Sequence, residues 1–272
     1  MKITARRLAI GLLAGMMCFP ALSHARKRDR DRKRYDLVLI AQREPDAMAA
    51  KPGRHAPLMA AAEHPGVSHD YAWASKEGID VSHYQGSIDW DAVAAGENIS
   101  YAYLKATEGA TLVDDTYARN LAEARRVGLK VGSYHFYRPG TDWQEQLENL
   151  TSTVKPGEQD LLPIIDIEHR GSCSREKFVN DLRSFIAKVT EVYGKKPLLY
   201  TFHNFYNRHL VGLFPDCKWM IARYREDEPT LNDGKDYVIW QYTAKGRVTG
   251  IEGNVDRSRL MNGYHLGDIL LH

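Results

Sequence analysis

Short apolar runs and amphipathic segments alternate along the chain from Ser75 onwards. The apolar runs are rich in Ile, Val, Tyr and Trp, which is typical of strands, whereas the amphipathic segments have the 3.6-residue period of helices. The predicted strands are residues 78–81, 100–106, 129–137, 162–167, 197–201, 219–223 and 237–242, with a weak eighth around 254–256. The predicted helices are residues 90–95, 116–127, 143–154, 175–193 and 202–210.

This alternation predicts a parallel β/α architecture, because helices that follow strands pack on the faces of a parallel sheet. About eight strands in about 200 residues favour a single domain that closes as an irregular, TIM-like (β/α) barrel. An open, doubly wound sheet is the alternative. The Gly-x-Gly-x-x-Gly phosphate loop expected after its first strand is absent from the sequence, which favours the barrel.

The fourth predicted strand ends in two acidic residues, Asp166 and Glu168. Its apolar run, residues 162–167, is typical of a strand that is buried on both faces. Residues two apart in a strand share a face, and burial of a carboxylate beside a like charge raises the pKa of at least one of the two. A catalytic pair is one interpretation. The other is structural, with one carboxylate capping a helix or pairing with Arg170.

Acidic and aromatic residues follow the other predicted strands as well, where β/α barrels carry their active sites. Asp80 ends the first strand and Asp256 the weak eighth. The candidate substrate-binding residues at these ends are Tyr134, Tyr200, Trp240, Gln241 and Tyr242. Each can be explained alone as a cap or a core residue. Together, carboxylates ringed by aromatic faces fit a carbohydrate site.

Charge divides the chain into a basic leader and an acidic body. The 272 residues carry a net charge of +2 and the first 34 carry +8, so residues 35–272 carry −6. An acidic body argues against nucleic acid as a partner. A basic start, an apolar stretch at 8–22 and a small-x-small sequence at 23–25 predict a signal peptide at 1–25. We expect residues 26–75, which are basic and of low complexity, to be a disordered linker, and residues 76–272 to be the catalytic domain.

Export also bears on the cysteines. Cys18 lies within the predicted signal peptide and would be removed with it. The two cysteines that are left, Cys173 and Cys217, permit one disulfide in an exported protein. We expect a periplasmic or secreted protein without stable membrane insertion after cleavage. An uncleaved N-terminal anchor is the alternative.

Six motifs resemble, in the same order, those of the lysozymes of glycoside hydrolase family 25. They read GIDVSHYQG at 78–86 with IDW at 88–90, KATEG at 105–109, GSYHF at 132–136, PIIDIE at 163–168, YT at 200–201 and IWQY at 239–242. The resemblance implies an irregular β/α barrel that cleaves the β-1,4 bond between N-acetylmuramic acid and N-acetylglucosamine in peptidoglycan. It also implies that Glu168 is the general acid and that Asp166, Asp80 and Asp256 support it.

The resemblance has one departure and one mechanistic implication. Where family members often show Asp-x-Asn, this chain has Asp256 followed by Arg257 and Ser258. The family's proposed mechanism retains the anomeric configuration, because the N-acetyl group of the substrate, rather than an enzyme carboxylate, attacks the anomeric carbon.

Two other functions stay open: a catalytically inactive glycan-binding module on the same barrel, and a metal-dependent peptidoglycan deacetylase. A pure binder would not need the clustered carboxylates of Asp80, Asp166 and Glu168. The sequence contains neither His-x-x-x-His nor His-Glu-x-x-His, the spacings typical of zinc enzymes. We therefore expect a monomeric glycoside hydrolase without metal or other cofactor, whose partners are peptidoglycan glycan strands.

Overall fold

The structure is a computed structural model that describes residues 76–96, 98–261 and 263–272. The predicted signal peptide and linker lie outside the described residues. The strands are β1 (Glu77–Val81), β2 (Ile99–Glu108), β3 (Leu112–Val113), β4 (Lys130–Phe136), β5 (Ile164–Asp166), β6 (Leu198–Phe202), β7 (Trp219–Ala222), β8 (Ile239–Gly246) and β9 (Val255–Leu260). The α-helices are α1 (Trp90–Gly96), α2 (Tyr117–Arg126), α3 (Trp143–Thr153), α4 (Arg175–Tyr193) and α5 (His203–Phe205). Helix α5 continues as a π-helical turn at Tyr206–Leu210, within the region predicted as one helix.

Eight of these strands close into a barrel. Around the ring the order is β1, β9, β8, β7, β6, β5, β4, β2, and β2 pairs with β1 to complete it. The two-residue strand β3, which was not predicted, only extends β2 as a hairpin. The predicted TIM-like barrel is therefore confirmed.

Strand β9 departs from the predicted parallel arrangement. It runs antiparallel to both of its neighbours, β8 and β1, because the chain returns from β8 through a short connection without a helix. An antiparallel strand begins at the barrel end where its parallel neighbours finish. The first residues of β9 consequently lie beside the last residues of β1, and Asp256 stands opposite Asp80 in the register.

The barrel interior is filled by two tyrosine rings of β2. Tyr101 and Tyr103 are completely buried and pack edge to face, with ring centroids 6.1 Å apart. A glycine faces each ring. A Cβ atom at Gly78 would lie 2.1 Å from Cε2 of Tyr101, and one at Gly132 would lie 2.3 Å from Cε1 of Tyr103. The barrel is therefore a packed core rather than a channel.

Helix α4 shows why the predicted helix boundaries hold. The side chain of Ser174 accepts a hydrogen bond of 3.1 Å from the amide of Lys177, which caps the helix, and Gly194 ends it in the left-handed conformation (φ 73°). Its buried residues recur every three or four positions, as one apolar face requires. None of the described helices is both long enough and apolar enough to cross a bilayer.

Candidate active site

The acidic pair predicted at the fourth strand lies at the end of β5. Asp166 is the last residue of the strand, which is shorter than the predicted 162–167, and Glu168 follows two residues later. The segment stays attached to β6 beyond the strand, since the amide of Ile167 donates to the carbonyl of Tyr200 (2.9 Å). The hydroxyl of Thr201 donates to the carbonyl of Ile167 (2.6 Å). Both carboxylates are thus held on a fixed backbone, and each residue is only 6% exposed.

The two carboxylates are electrostatically coupled. Burial and then the charge of Glu168 raise the pKa of Asp166 well above its ordinary value, while Lys105 and Arg138 act in the opposite direction. Atom Oδ1 of Asp166 has no hydrogen-bond partner among the described residues. A pair of this kind holds one proton near neutral pH.

Two cations stand beside this pair and share a third carboxylate. Nζ of Lys105 lies 2.6 Å from Oε2 of Glu108, and Arg138 binds Oε1 of the same side chain, with its Nε at 3.0 Å. Although burial raises the pKa of Glu108, Lys105 and Arg138 lower it to about 2. The guanidinium of Arg138 also stacks over the ring of Phe136, with its Cζ atom 4.6 Å from the ring centroid. The cluster keeps positive charge close to Asp166 without leaving a buried cation unpaired.

A second acidic pair joins the first and last strands of the barrel. Asp80 of β1 stands opposite Asp256 of β9, and residues directly opposite in antiparallel strands have Cβ atoms about 4.5–5.5 Å apart. Burial and then the charge of Asp256 raise the pKa of Asp80 to about 8, and a hydrogen bond from Gln241 lowers it. Asp80 therefore retains a proton near neutral pH.

Gln241 holds Asp80 through a defined amide orientation. Its Oε1 accepts hydrogen bonds from the hydroxyls of Tyr200 (2.9 Å) and Tyr224 (2.8 Å), and its Nε2 donates to Oδ2 of Asp80 (3.2 Å). The amide is assigned with its oxygen towards the two phenol hydroxyls and its NH₂ group towards Asp80. Gln241 thus lies beside Asp80 and Tyr200 beside Gln241, and both residues are buried. Their direct contact with substrate stays a prediction.

Tyr134 is the predicted aromatic residue that lies among the carboxylates. Burial raises the pKa of its phenol well above the ordinary value, followed by the charges of Asp166, Asp80 and Asp256. Its side chain is partly buried and packs against the core. Tyr134 therefore lies within electrostatic range of both acidic pairs, as does Tyr200.

Trp240 and Tyr242 flank Gln241 on β8, and side chains alternate along a strand, so they face the other side of the sheet. Trp240 is 1% exposed and its Nε1 donates to the carbonyl of Arg223 (2.9 Å). The hydroxyl of Tyr242 donates to Glu77 (2.6 Å). A role in stacking on substrate stays a prediction for both, and these surroundings favour support of the barrel wall.

The predicted site did not include Arg138, and the sequence indicated Tyr224 only as a residue at a strand end without assigning it a role. Each follows the end of a strand by two residues, Tyr224 after β7 and Arg138 after β4. Position at a strand end was therefore the available signal. That signal does not give their hydrogen-bond partners. Tyr224 binds Gln241 and Arg138 binds Glu108, and both partners come from other strands.

The possible disulfide is not formed, because Cys173 and Cys217 are both free thiols. Cys173 lies near Gly140, where a Cβ atom would be 3.3 Å from its Sγ, whereas Cys217 is buried and is influenced by the charges of Lys196 and Asp216. Burial raises the pKa of the Cys217 thiol to about 11. The two loops thus place the cysteines in different surroundings.

No group of three or more His, Cys, Asp or Glu side chains within the described part of the chain is arranged to hold a metal ion. Lys105 and Arg138 instead pair with Glu108, and Gln241 donates a hydrogen bond to Asp80. What the arrangement offers chemically is a protonated buried acid next to a carboxylate, which is suited to proton transfer.

Comparisons with known proteins agree with this geometry. Residues 79–251 match the sequence profile of Glycosyl hydrolases family 25, a range that includes three of the four acidic residues and ends before Asp256. Lysozyme M1 of Streptomyces globisporus is 32% identical over 197 residues, which cover 67% of each chain. The uncharacterized protein YegX of Escherichia coli K12 is 36% identical over 183 residues, covering 66% of this chain and 67% of that one. The solved structure of a family 25 glycosyl hydrolase from Bacillus anthracis superimposes with a TM-score of 0.64 at 30% identity, covering 72% and 94% of the two chains.

Proposed function

The chain belongs to family 25 of the glycosyl hydrolases, and from that premise we propose that it is a lysozyme acting on peptidoglycan. The bond cleaved is the β-1,4 linkage between N-acetylmuramic acid and N-acetylglucosamine. The observation that carries this proposal is the coupled, buried pair of Asp166 and Glu168 at the carboxyl end of β5. Cleavage of a glycosidic bond needs one protonated and one ionised carboxyl group, and this pair can supply both.

In the proposed mechanism Glu168 is the general acid and Asp166 is the ionised partner. Burial and the charge of Glu168 raise the pKa of Asp166, and Lys105 and Arg138 oppose that rise; in the proposed mechanism the proton that the pair shares resides on Glu168 when the substrate is bound. Glu168 gives that proton to the oxygen of the leaving sugar. Oδ1 of Asp166, which lacks a hydrogen-bond partner among the described residues, accepts the N–H of the substrate's N-acetyl group. The supporting roles of Asp80 and Asp256 belong to the same proposal.

We propose retention of the anomeric configuration. Both carboxylates belong to one short segment and approach the sugar from one side, so the nucleophile on the opposite face is supplied by the substrate's own N-acetyl oxygen. Asp166 then stabilises the positive oxazolinium that forms, and Glu168 activates the water that opens it. Proton NMR of the first product should show the β-anomer before mutarotation, and an initial α-anomer would refute this step.

Digestion of purified peptidoglycan with analysis of the products by mass spectrometry tests the function itself. A lysozyme releases fragments with muramic acid at the reducing end. Intact chains that have only lost acetyl groups would indicate a deacetylase instead, and unaltered chains that nevertheless bind the protein would indicate a binding module. Either result would overturn the proposal.

The proposal extends to where the protein acts. Its substrate is a cell-wall polymer, and the N-terminal sequence has the features of an export signal. We propose that the protein is exported, that residues 1–25 are removed, and that residues 26–75 are dispensable for hydrolysis. A truncated chain beginning near Ala74 should cleave soluble glycan chains at the wild-type rate. N-terminal sequencing of the exported protein would show whether residues 1–25 are cleaved.

A further inference from the structure

Exposed large apolar side chains are few among the described residues, and two of the three flank one hydrogen-bonded pair. Tyr84 is 59% exposed, Val113 is 50% exposed, and Val192 on helix α4 is 44% exposed. Tyr84 and Val113 are the chain neighbours of His83 and Asp114. The ring of His83 and the carboxylate of Asp114 are joined by a hydrogen bond of 2.6 Å. The two backbone segments that carry Tyr84 and Val113 therefore meet at this hydrogen bond.

This region borders the acidic end of the barrel, which is the end that carries Asp80, Asp166, Glu168 and Asp256. The loop with Tyr84 directly follows the carboxyl end of β1, and the hairpin with Val113 extends the carboxyl end of β2. The charge of Asp114 acts on the phenol of Tyr134, as does the charge of Asp166. The exposed apolar side chains thus lie at the edge of the site that holds the proposed catalytic pair.

The loop that exposes Tyr84 is firmly held. Ser82 and Gln85 cap each other across the 3-10 turn, and Nε2 of Gln85 donates to the carbonyl of Asn254 (3.1 Å), next to β9. Arg119 of helix α2 donates to the carbonyl of Gly86 (3.1 Å). The ring of Tyr84 is therefore exposed on a loop that is held by the capping box, by Asn254 and by Arg119.

The hairpin with Val113 is held equally well. Nδ2 of Asn149 on helix α3 donates to the carbonyls of Gly109 (2.8 Å) and Leu112 (3.1 Å). Asp114 then accepts the backbone amides of His83 and Thr116, both at 3.0 Å, in addition to the His83 ring. Two anchored segments that present apolar side chains to solvent form a preorganised surface, which loses little freedom when it binds a ligand.

We propose that Tyr84 and Val113 form a platform that binds a sugar ring of the glycan strand beyond the two sugars whose bond is cleaved. The proposal rests on the proposed function, because the platform takes its ligand from the same polymer. The apolar face of a sugar ring packs on the exposed tyrosine ring. Continuity with the acidic end of the barrel favours the glycan strand over other occupants.

Hydrolysis of peptide-free glycan chains by the wild-type protein and the Tyr84→Ala variant tests the platform. A contact made equally in the ground state and the transition state raises KM and leaves kcat unchanged. We expect KM for long chains to rise roughly 2- to 10-fold. Chains too short to reach beyond the cleaved pair should show no change, and Tyr84→Trp should restore the wild-type KM. Val192→Ala, which removes an exposed apolar side chain from helix α4, is the matched control and should behave as wild type.

Each other outcome has a defined meaning. An unchanged KM for long peptide-free chains would overturn the platform. A rise seen only with peptide-bearing chains would also overturn it and assign the surface to the stem peptide. Failure of the proposed function is a separate result, since the wild-type protein would then leave all chains intact. In that case the dissociation constants of peptide-free chains decide: equal values for wild type and Tyr84→Ala overturn the platform, and weaker binding by the variant supports it.

Discussion

The two acidic pairs at the same end of the barrel are stabilised in different ways. Asp166 and Glu168 lie on one segment at the end of β5, where Lys105 and Arg138 bring positive charge close to Asp166. Asp80 and Asp256 come from the first and last strands of the barrel, and the neutral amide of Gln241 is the partner of Asp80.

The difference teaches which pair is suited to acid chemistry. A nearby cation permits an anion to persist inside a protein, whereas a neutral amide only moderates the cost of burying one. Asp80 consequently has a pKa of about 8 and stays protonated at neutral pH. Burial also raises the pKa of Asp166 well above its ordinary value, and the nearby cations oppose that rise without abolishing it. The pair at the end of β5 therefore shares its proton beside positive charge, whereas Asp80 holds its proton beside a neutral amide.

The largest effect is expected from Glu168→Gln. The amide keeps the shape of the side chain but has no acidic proton for the leaving oxygen, so the rate should fall by at least ~10²-fold. Glycan binding and the melting temperature should stay close to wild type. Turnover of peptidoglycan checks the rate, and Glu148→Gln on the exposed side of helix α3 is the matched control. A variant that hydrolyses at nearly the wild-type rate would show that Glu168 is not the acid.

Asp80→Asn is expected to change the stability of the protein, which should increase. Because the pKa of Asp80 is about 8 in the folded protein and about 4 in the unfolded chain, the folded state binds the extra proton between these values. Wild-type stability should therefore fall as the pH rises from about 4 to about 8, and the neutral asparagine should avoid this loss. The melting temperature of the variant should gain roughly 5–15 °C on wild type across that range.

Asp91→Asn is the control for that measurement. Hydrogen bonding by Arg126 lowers the pKa of the exposed Asp91, so its replacement removes a favourable interaction that is complete above about pH 4. The variant should be slightly less stable than wild type by an amount that does not change between pH 4 and pH 8. If Asp80→Asn behaves in the same flat way, Asp80 does not carry the buried proton.

The contrast between the pairs also explains how much the sequence could predict. Asp166 and Glu168 are two residues apart, so the local strand pattern is enough to put them together. The closeness of Asp80 and Asp256 depends on the antiparallel course of β9, and the weak apolar pattern of that strand could not reveal its direction. For β8 the sequence indicated a strand, but alternation alone does not say whether Gln241 or its neighbours Trp240 and Tyr242 face the acidic residues. That choice is made by long-range partners such as Tyr200.

A smaller effect, visible mainly in the pH profile, is expected from Lys105→Gln. Removing this cation raises the pKa of Asp166, so the anion required of Asp166 forms only at higher pH. The acid limb of kcat/KM should move to higher pH, with a loss on the order of tenfold on the acid side. Lys188→Gln is a close control, because Lys188 pairs with Glu191 on the surface at 2.7 Å with the same spacing as Lys105 and Glu108. A uniform loss at every pH would contradict the electrostatic role.

The smallest effect is expected from Tyr224→Phe, which removes one of the two donors to Oε1 of Gln241. The remaining donor, Tyr200, still fixes the orientation of the amide, so the variant should lose about 1 kcal/mol of stability, or about 2–4 °C in melting temperature. Its activity should change little.

Removing both hydroxyls, in Tyr200→Phe with Tyr224→Phe, frees the amide to turn its oxygen towards Asp80. The loss in the double variant should therefore exceed the sum of the two single losses, because the donors act on one group. Thermal unfolding and kcat/KM of the four proteins measure this coupling. Strictly additive losses would mean that Gln241 is oriented by something other than the two tyrosines, and the contrast between a charge-stabilised pair and an amide-stabilised pair would then have to be abandoned.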